Sequence, residues 1–501
     1  MAAFWEYAGP LFGPVSREFM EPVISIALDL PGRGQGNLVQ ALHQQLRAAI
    51  VDGRMAANSP LPSTRQFAGA LGVSRNTVVA AFDLLIAEGY LVSRRGRPAQ
   101  VANIAARRPA KAIGNVLPLR DSQLADRWRT PVPADPPRIG LPERCFRLGI
   151  PDHHHFPHEI WRRLTAQALR DWARTPFGYS PSEGIPALRM AIANHVAFAR
   201  AVACRAEDVL VTSGAQQAFD VLARALVTPG KTRVAFEEPG YPPARAAFLA
   251  AGAQLVAVPL DDEGLCVAQL PEDVAVVFVT PSHQSPTGVA LSLRRRAALL
   301  AFARARNTVI IEDDYDGEFR FGGRPLDALQ TLDRDGRVFY VGTFSKSLFP
   351  ALRKGFIVAP PWAREALVAV KQCADSHCDT ITQAVLAAFI RDGHLARHVR
   401  RMRPIYAARR AALLDGIPRT LGQWLEPIPS EAGLHLAARI RNPEIARRIL
   451  SLANVHLPGS QSTEAYALNS LEKPALAIGY GVIDAKEIAA ALARLGEALA
   501  K

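Results

Sequence analysis

Lys346 lies among residues that could do covalent chemistry on a phosphorylated carbonyl compound. It follows the apolar run VFYVGTF, with Thr343 and Ser345 just before it and Arg353 seven residues after it. A lysine amine can form a Schiff base, while hydroxyl groups and an arginine can bind a phosphate. A lone lysine after a serine is usually an ordinary loop residue, so this interpretation depends on other segments of the chain.

Two further segments carry suitable residues. Asp313 follows the apolar residues 309–311, and Tyr315 lies two positions further on. A carboxylate at the end of a buried strand needs a partner, and the pyridinium nitrogen of a cofactor is one such partner. The segment 213–217 (SGAQQ) follows another apolar run and should begin a helix, whose free backbone amides suit a phosphate. That second segment alone is weak evidence, since any capped strand-to-helix turn looks similar.

A sheet must bring these segments together. Residues 190–360 alternate helical stretches with short apolar runs: VLVTS, RVAFEEP, AVVFVTP, TVIIEDD and VFYVGTF. Strands separated by helices predict a mainly parallel sheet flanked by helices. Such sheets bind ligands at the carboxyl ends of their strands, where all three segments fall. The second half of the chain is therefore predicted to be an α/β domain with one site.

The first hundred residues have a helical pattern. Apolar residues at four-residue spacing predict a first helix: Leu38, Leu42, Leu46 and Ile50. Ser63 and Gln66 form a capping-box pair for a second helix, which Gly72 should end. Ser74 should cap a third helix. Its inward face is predicted from four apolar residues: Val78, Phe82, Leu85 and Ile86.

Two helices joined by a tight glycine turn are the helix-turn-helix pattern, whose second helix enters the major groove of DNA. The exposed first turn of that helix carries residues 75–77 (RNT), which can bond base edges or phosphates. A short hairpin should follow, with residues 93–97 at its tip. Five arginines between Leu61 and Arg97 form a basic surface. From shape alone, a small helical interaction domain remains the alternative.

A length of 501 residues predicts two or three domains. The composition changes near residue 105, where a Pro- and Arg-rich stretch shows no periodic pattern. We therefore divide the chain into an N-terminal domain (1–104), a linker (105–145) and a C-terminal domain (146–501).

The net charge of +13 suggests a polyanionic partner, although its position matters more than its sum. Neither a signal peptide nor an apolar run long enough for a membrane span is visible, so we expect a cytoplasmic protein without a membrane partner. The five scattered cysteines fit a reducing compartment. Neither they nor the run 153–155 (HHH) has the spacing of a metal site, so no metal is expected.

The segments LPSTR, LGVSRNTV and LLIAEGYL resemble the signature of the GntR family of winged-helix regulators, over about residues 38–103. The resemblance implies that double-stranded operator DNA is a partner. The positions expected at the DNA are Arg65, Ser74, Arg75, Thr77, Arg95 and Gly96. The wing tip RRGRP departs from the usual GSGT-like sequence, which leaves the minor-groove contact open and makes the tip more basic.

From about residue 146 to 498 the chain resembles a fold-type-I aminotransferase dependent on pyridoxal 5'-phosphate (PLP). The motifs are TPSHQSPTG (280–288), IIEDDYDGEFRF (310–321) and GTFSKSLFPALRKG (342–355). Joined to a GntR head, they are similar to the MocR-type subfamily, whose members regulate genes of vitamin B6, amine and amino-acid metabolism. The fold class implied is multidomain: a winged helix-turn-helix followed by an α/β aminotransferase-like domain.

The aminotransferase resemblance also implies roles for single residues. Lys346 would be the Schiff-base lysine, Asp313 the partner of the pyridine nitrogen, Tyr315 the residue facing the ring hydroxyl and Tyr241 the cover of the ring face. The phosphate would be surrounded by Gly214, Ala215, Gln216, Thr343, Ser345 and Arg353. Tyr179 matches a tyrosine that reaches the phosphate in the partner subunit, which implies a homodimer. A helix over 386–413, with Arg403, is expected near that site.

Three residues depart from a working aminotransferase. Ser285 stands where an asparagine normally bonds the ring hydroxyl, and Ala477 where an arginine binds the substrate carboxylate. Pro243 stands where a GABA-responsive relative has an arginine. The favoured interpretation is a regulator that responds to PLP or to an amine. The alternatives are an active aminotransferase with an accessory DNA-binding domain and a repressor whose large domain is a cofactor-free dimerisation scaffold.

Overall fold

The computed structural model describes residues 26–32, 36–94, 96–103, 128, 144–175, 178–322 and 327–501. The chain forms two compact units, residues 1–123 and 124–501. Most of the predicted linker lies outside the described residues. Near its end, however, Cys145 is buried and Arg144 Nη1 lies 2.8 Å from Asp484 Oδ2. The larger unit therefore includes residues that the sequence assigned to the linker.

The described part of the smaller unit has three helices and a hairpin: α1 (Leu38–Val51), α2 (Thr64–Leu71), α3 (Arg75–Ala87), β1 (Leu91–Val92) and β2 (Gln100–Val101). The predicted capping box is confirmed, since Gln66 N donates to Ser63 Oγ at 3.3 Å and Ser63 N to Gln66 Oε1 at 3.0 Å. Gly72 ends α2 in the left-handed conformation, and Ser74 caps α3.

The inward face of α3 was predicted with one error. Val78, Phe82 and Leu85 are buried in the core of this unit, whereas Ile86 is 36% exposed. Ile86 points about 100° away from Leu85 around the helix, and in the last turn of α3 only Leu85 lies in the core. Ala81, which was not predicted on this face, is the fourth buried residue of α3.

The larger unit is built on one long sheet. Its strands are β3 (Val209–Thr212), β4 (Arg233–Glu238), β5 (Gln254–Asp261), β6 (Gly264–Leu265), β7 (Val276–Val279), β8 (Val309–Asp314), β9 (Val338–Thr343) and β10 (Gly355–Val358). Their order is β3-β10-β9-β8-β7-β4-β5-β6. The neighbours from β9 to β5 are parallel, whereas β10 is antiparallel to β3 and β9, and β6 to β5. The mainly parallel sheet is confirmed.

Helices flank this sheet and continue to the end of the chain: α4 (His158–Trp172), α5 (Pro186–Arg200), α6 (Ala215–Leu226), α7 (Pro242–Ala250), α8 (Leu293–Arg306), α9 (Leu329–Leu332), α10 (Arg364–Asp375), α11 (Thr380–Arg391), α12 (His394–Leu421), α13 (Ala446–His456) and α14 (Ala485–Ala500). The single helix expected over 386–413 is wrong. The chain breaks between α11 and α12 at Gly393, whose φ of 72° is left-handed.

A second, antiparallel sheet lies near the end of the chain: β11 (Leu425–Pro427), β12 (His435–Ile440), β13 (Gln461–Ser462) and β14 (Ala475–Gly479), in the order β11-β12-β14-β13. Leu476 and Ile478 of β14 face the main core, and Ala477 faces the opposite side. In the part of the chain that the structure describes, no single helix is long and apolar enough to cross a membrane; only the bent pair α2 and α3 passes that test together.

Candidate functional site

A positively charged cup forms where β3 and β9 end and α6 begins. Arg353 Nη2 donates to Ser213 O at 2.8 Å, and a Cβ on Gly214 would lie 2.9 Å from the Arg353 guanidinium carbon. Glycine at 214 therefore permits the close approach of the arginine. Beside it, the Thr343 and Ser345 hydroxyl oxygens lie 3.0 Å apart. A guanidinium, two hydroxyls and the first amides of a helix fit a phosphate.

Not every residue predicted at this cup offers its side chain. Gln216 is exposed, and its Nε2 donates to Pro243 O at 2.9 Å. The backbone amides of Ala215 and Gln216, in the first turn of α6, are the groups that suit an anion. The phosphate role of this turn stays a prediction.

Lys346 lies against a residue that sequence reasoning missed. A Cβ placed on Gly149 would lie 2.5 Å from Lys346 Nζ, and Gly149 has a φ of +65°. Nothing in the sequence marks Gly149, because it precedes the lysine by almost two hundred positions and belongs to no motif. Its lack of a side chain makes room for the lysine amine.

We expect Gly149→Ala to lower the affinity for PLP by about tenfold or more. The added methyl group would displace the flexible end of Lys346 without disturbing a rigid part of the fold. Equilibrium dialysis with PLP measures the effect. Gly230→Ala is the matched control, since Gly230 has a similar φ of +71° but open space around its Cβ position. Equal losses in the two variants would attribute the effect to backbone strain alone.

Asp313 is buried, and one of its carboxylate oxygens is available to a ligand. Its side chain is 3% exposed, and its Oδ1 has no hydrogen-bond partner within the described chain. Burial, followed by the charges of Asp314 and Asp316, raises the pKa of Asp313 well above its usual range. The protonated ring nitrogen of PLP would donate a hydrogen bond to Asp313 Oδ1, and its positive charge would offset the negative charges of Asp314 and Asp316. The residues present therefore fit PLP.

Tyr315 is also held by residues that the sequence analysis did not single out. Its hydroxyl oxygen lies 3.1 Å from His283 Nδ1, and that nitrogen lies 2.9 Å from Asp316 Oδ2. His283 and Asp316 occur within the quoted motifs, so their neighbourhood in sequence could have suggested them. Tyr241, at the start of α7, packs edge-on against Phe219; its role over the cofactor ring stays a prediction.

The candidate DNA surface lies on α2, α3 and the hairpin. Arg65 and Arg75 are exposed, as a DNA contact requires. Ser74 and Thr77 are partly engaged elsewhere, since Ser74 Oγ accepts from Thr77 N at 3.1 Å and lies 2.8 Å from Thr77 Oγ1. Gly96 is left-handed at the hairpin tip, with φ 77°, and Arg95 lies outside the described residues. DNA contacts by these residues stay predictions.

Comparison with known proteins decides the family. Residues 38–101 match the family model "Bacterial regulatory proteins, gntR family", and residues 148–494 match "Aminotransferase class I and II". The probable rhizopine catabolism regulatory protein MocR of Rhizobium meliloti is 39% identical over 406 residues, which cover 79% of this chain and 80% of the relative. The chain belongs to the MocR-type subfamily of the GntR family. It is a transcriptional regulator with a DNA-binding domain and a PLP domain.

One further regulator and one solved structure are similar to this MocR-type regulator. The pyridoxine biosynthesis transcriptional regulator PdxR of Corynebacterium glutamicum is 33% identical over 403 residues, covering 80% of this chain and 83% of the relative. Kynurenine aminotransferase from Pyrococcus horikoshii has the same fold as the large unit, with a TM-score of 0.66 and 28% identity over 71% of this chain and 90% of that structure. When bound, PLP supplies an aldehyde that reacts reversibly with amines.

The three departures of this MocR-type regulator lie in the large unit. Ser285 is buried, and its backbone N donates to Thr280 Oγ1 at 3.1 Å. Ala477 is fully buried in an apolar cluster: Val289, Ile428, Ala437 and Ala475, with Leu148 packed against it. The position that the resemblance assigns to the carboxylate-binding arginine of an aminotransferase is thus part of an apolar wall. Pro243 lies in the first turn of α7.

Tyr179 of this MocR-type regulator lies on the surface of the large unit. Its side chain is 93% exposed, and its ring packs edge-on against His377 at 6.0 Å. Arg403 lies on α12 and donates to Glu318 O at 3.1 Å. The predicted contact of Tyr179 with the phosphate of a partner subunit stays a prediction.

Proposed function

We propose that this regulator responds to PLP, or to an amine that reacts with PLP at Lys346, by changing its affinity for operator DNA. The observation that carries the proposal is the combination of the spare oxygen of buried Asp313 with the apolar wall at Ala477. The first suits the cofactor, and the second disfavours an amino-acid substrate. A ligand can regulate only by binding two conformations differently, for example two spacings of the DNA-binding domains in a dimer.

The relatives support the class of genes that we propose. One is named for rhizopine catabolism and another for pyridoxine biosynthesis. We therefore place the targets of this cytoplasmic regulator in vitamin B6, amine or amino-acid metabolism. The 93% exposure of Tyr179 supports a homodimer, because a large aromatic side chain left in water gains by contact with a second subunit.

An active aminotransferase with an accessory DNA-binding domain is the second candidate. Lys346, Asp313 and Tyr315 favour it, since all three are retained. Ala477 opposes it, because a carboxylate buried without a cation costs several kcal/mol. We therefore propose a regulator without full catalytic turnover, in which a half-reaction with an amine is the most that the site performs.

The proposal is tested by measuring the affinity of the full chain for DNA selected from random oligonucleotides, with and without PLP. We expect PLP, or PLP with an amine, to shift the dissociation constant several-fold. A PLP-bound protein whose DNA affinity stays the same with every amine tried would contradict the proposal.

We expect Arg75→Ala to weaken DNA binding, because Arg75 lies exposed in the first turn of α3. If Arg75 contacts a base, the loss should be about 1–3 kcal/mol and specificity should relax at one position. If it contacts a phosphate, affinity should fall on all sequences and the salt slope should decrease by about one. Fluorescence anisotropy over a series of salt concentrations separates the two outcomes.

The control removes a positive charge from the other unit. Arg224→Ala breaks an exposed i,i+4 pair with Asp220 on α6 and changes the net charge equally. Its DNA affinity should match that of the wild type. If Arg75→Ala also binds like the wild type at every salt concentration, Arg75 does not belong to the DNA interface.

A further inference from the structure

A buried polar cluster lies beside Tyr315. His283, Asp316 and His435 are 1%, 1% and 2% exposed and come from the loop after β7, the residues after β8, and β12. The His283 and His435 rings lie 4.5 Å apart. Burying an ionised carboxylate is costly unless another group donates a hydrogen bond to it. The protonation of each of the two histidines therefore decides which of them stabilises Asp316.

His283 is the partner of Asp316. Its Nδ1 lies 2.9 Å from Asp316 Oδ2 and 3.2 Å from Asp316 Oδ1. His435 cannot neutralise the carboxylate, since burial lowers the pKa of His435 well below its usual value and keeps the ring uncharged. Its Nε2 is 3.2 Å from Pro286 O, to which it donates. The compensating hydrogen bond therefore comes from His283.

One ring nitrogen of His283, Nδ1, faces both the Asp316 carboxylate and the Tyr315 hydroxyl oxygen. An ionised carboxylate only accepts hydrogen bonds, so the nitrogen at 2.9 Å from Asp316 must carry the proton. The same nitrogen lies 3.1 Å from the Tyr315 hydroxyl oxygen, which must then accept as well. His283 Nε2 has no hydrogen-bond partner among the described residues, as expected for the bare nitrogen of this tautomer. The hydroxyl proton of Tyr315 is left to point elsewhere.

We propose that Asp316 holds His283 as the Nδ1–H tautomer and that this pair aims the Tyr315 hydroxyl as a hydrogen-bond donor to the ring hydroxyl of PLP. The inference rests on the proposed use of PLP by this site. Asp316 and His283 are positioning residues, since they act through Tyr315. With Ser285 in place of the usual asparagine, Tyr315 is the donor that the chain retains at this position.

The surroundings keep the hydroxyl proton on Tyr315. Burial, and then nearby negative charge, raises the pKa of Tyr315 well above its usual value. His435, which burial keeps uncharged, has its ring stacked 6.5 Å from that of Tyr315, and the groups whose charges raise the pKa of Tyr315 are Asp316, Asp313, Glu237 and Tyr466. Tyr315 is therefore a neutral donor throughout the ordinary pH range.

The first experiment titrates the visible absorption of the PLP-bound full chain with pH. When Tyr315 donates a hydrogen bond to the ring oxygen of PLP, it stabilises the anionic form of that oxygen. The nitrogen of Lys346 next to this oxygen then loses its proton at a lower pH, which lowers the midpoint of the absorbance titration. In Asp316→Asn the tautomer of His283 is no longer fixed, and Tyr315 can donate to His283 instead. We expect the midpoint to rise by about one pH unit, as for the loss of one hydrogen bond to a charged group.

Matched variants show whether the effect passes through Tyr315. Tyr315→Phe should raise the midpoint similarly, and adding Asp316→Asn to it should cause no further rise. His283→Asn keeps an N–H near the place of Nδ1 and should retain the wild-type midpoint, whereas His283→Gln moves the amide away and should raise it. An unchanged midpoint in Asp316→Asn, or a full additional rise in the double variant, would overturn the proposal. Borohydride labelling of Lys346 confirms that each variant holds PLP.

A second measurement needs no cofactor. In the full chain stripped of PLP, histidine labelled with ¹³C reports the tautomer, and the His283 signal is the one lost in His283→Asn. We expect Nδ1–H in the wild type and a shift of the population towards Nε2–H in Asp316→Asn; the Nε2–H tautomer in the wild type would overturn the inference. Failure of the wild type to take up PLP would instead refute the proposed function.

A bound metal is the remaining alternative for this cluster. His283, Asp316 and His435 offer ligand atoms that all lie within 4.8 Å of one another. A stoichiometric divalent ion that is released by a chelator, and whose release changes the ¹³C signals of His283 and His435, would overturn the proposal. Elemental analysis of the purified chain decides this point, and we expect no such ion.

Discussion

Lys346→Ala will remove the yellow colour that the wild type acquires with PLP. Lys346 has the amine beside Gly149, and its charge acts on Asp313, so it can link to a cofactor whose ring nitrogen faces Asp313. Without the amine no covalent bond to PLP forms, and residual binding depends on the cup around Arg353 and on Asp313. Reduction with borohydride should attach PLP to the peptide that contains Lys346 in the wild type and to none in the variant.

Lys231→Ala serves as the control, because Lys231 is an exposed lysine of the same unit. It should keep both the colour and the label on Lys346. DNA binding without PLP should be the same in all three proteins, since the DNA-binding domain is a separate compact unit. A wild type that takes up no PLP, or that is labelled on another lysine, would show that the assignment of Lys346 is wrong.

The strands that carry this site were predictable for a physical reason. Strands buried on both faces are continuous apolar runs, and the parallel strands β4, β7, β8 and β9, together with the antiparallel β3, all coincide with such runs. β10 was not predicted, although residues 355–358 (GFIV) are apolar. It is antiparallel and follows the site loop after a short connection, so the alternation of helix and strand does not mark it.

Residues from distant segments could not be predicted. Gly149 lies against Lys346, and the ring centroids of His435 and His283 are 4.5 Å apart. Neither Gly149 nor His435 lies in a motif, because the tertiary fold alone brings them to the site. His283 and Asp316 could have been predicted, because both belong to the motifs that carry the resemblance to aminotransferases. Periodicity fails differently at Ile86: it specifies a helix but cannot decide which of two adjacent apolar residues the core accepts.

The effector should lack an α-carboxylate. Ala477 stands where the resemblance places the arginine of an aminotransferase, and its neighbours Val289, Ala437 and Leu148 make the wall apolar. A carboxylate that entered would lose its water without gaining a cation, at a cost of about 2–5 kcal/mol. PLP needs no such cation, because its phosphate and ring nitrogen have candidate partners at Arg353 and Asp313.

This expectation is tested with matched pairs of ligands, each an α-amino acid and the amine formed by removing its carboxyl group, together with PLP and the other B6 vitamers. DNA binding and the visible spectrum are recorded in parallel. The amine of a pair should act at a concentration at least about thirtyfold lower than its amino acid, which corresponds to 2 kcal/mol. Pairs cancel differences in side-chain fit, so the ratio isolates the carboxylate. An α-amino acid that changes both signals at micromolar concentration, while its amine and PLP alone do nothing, would refute the expectation and require a cation from the partner subunit.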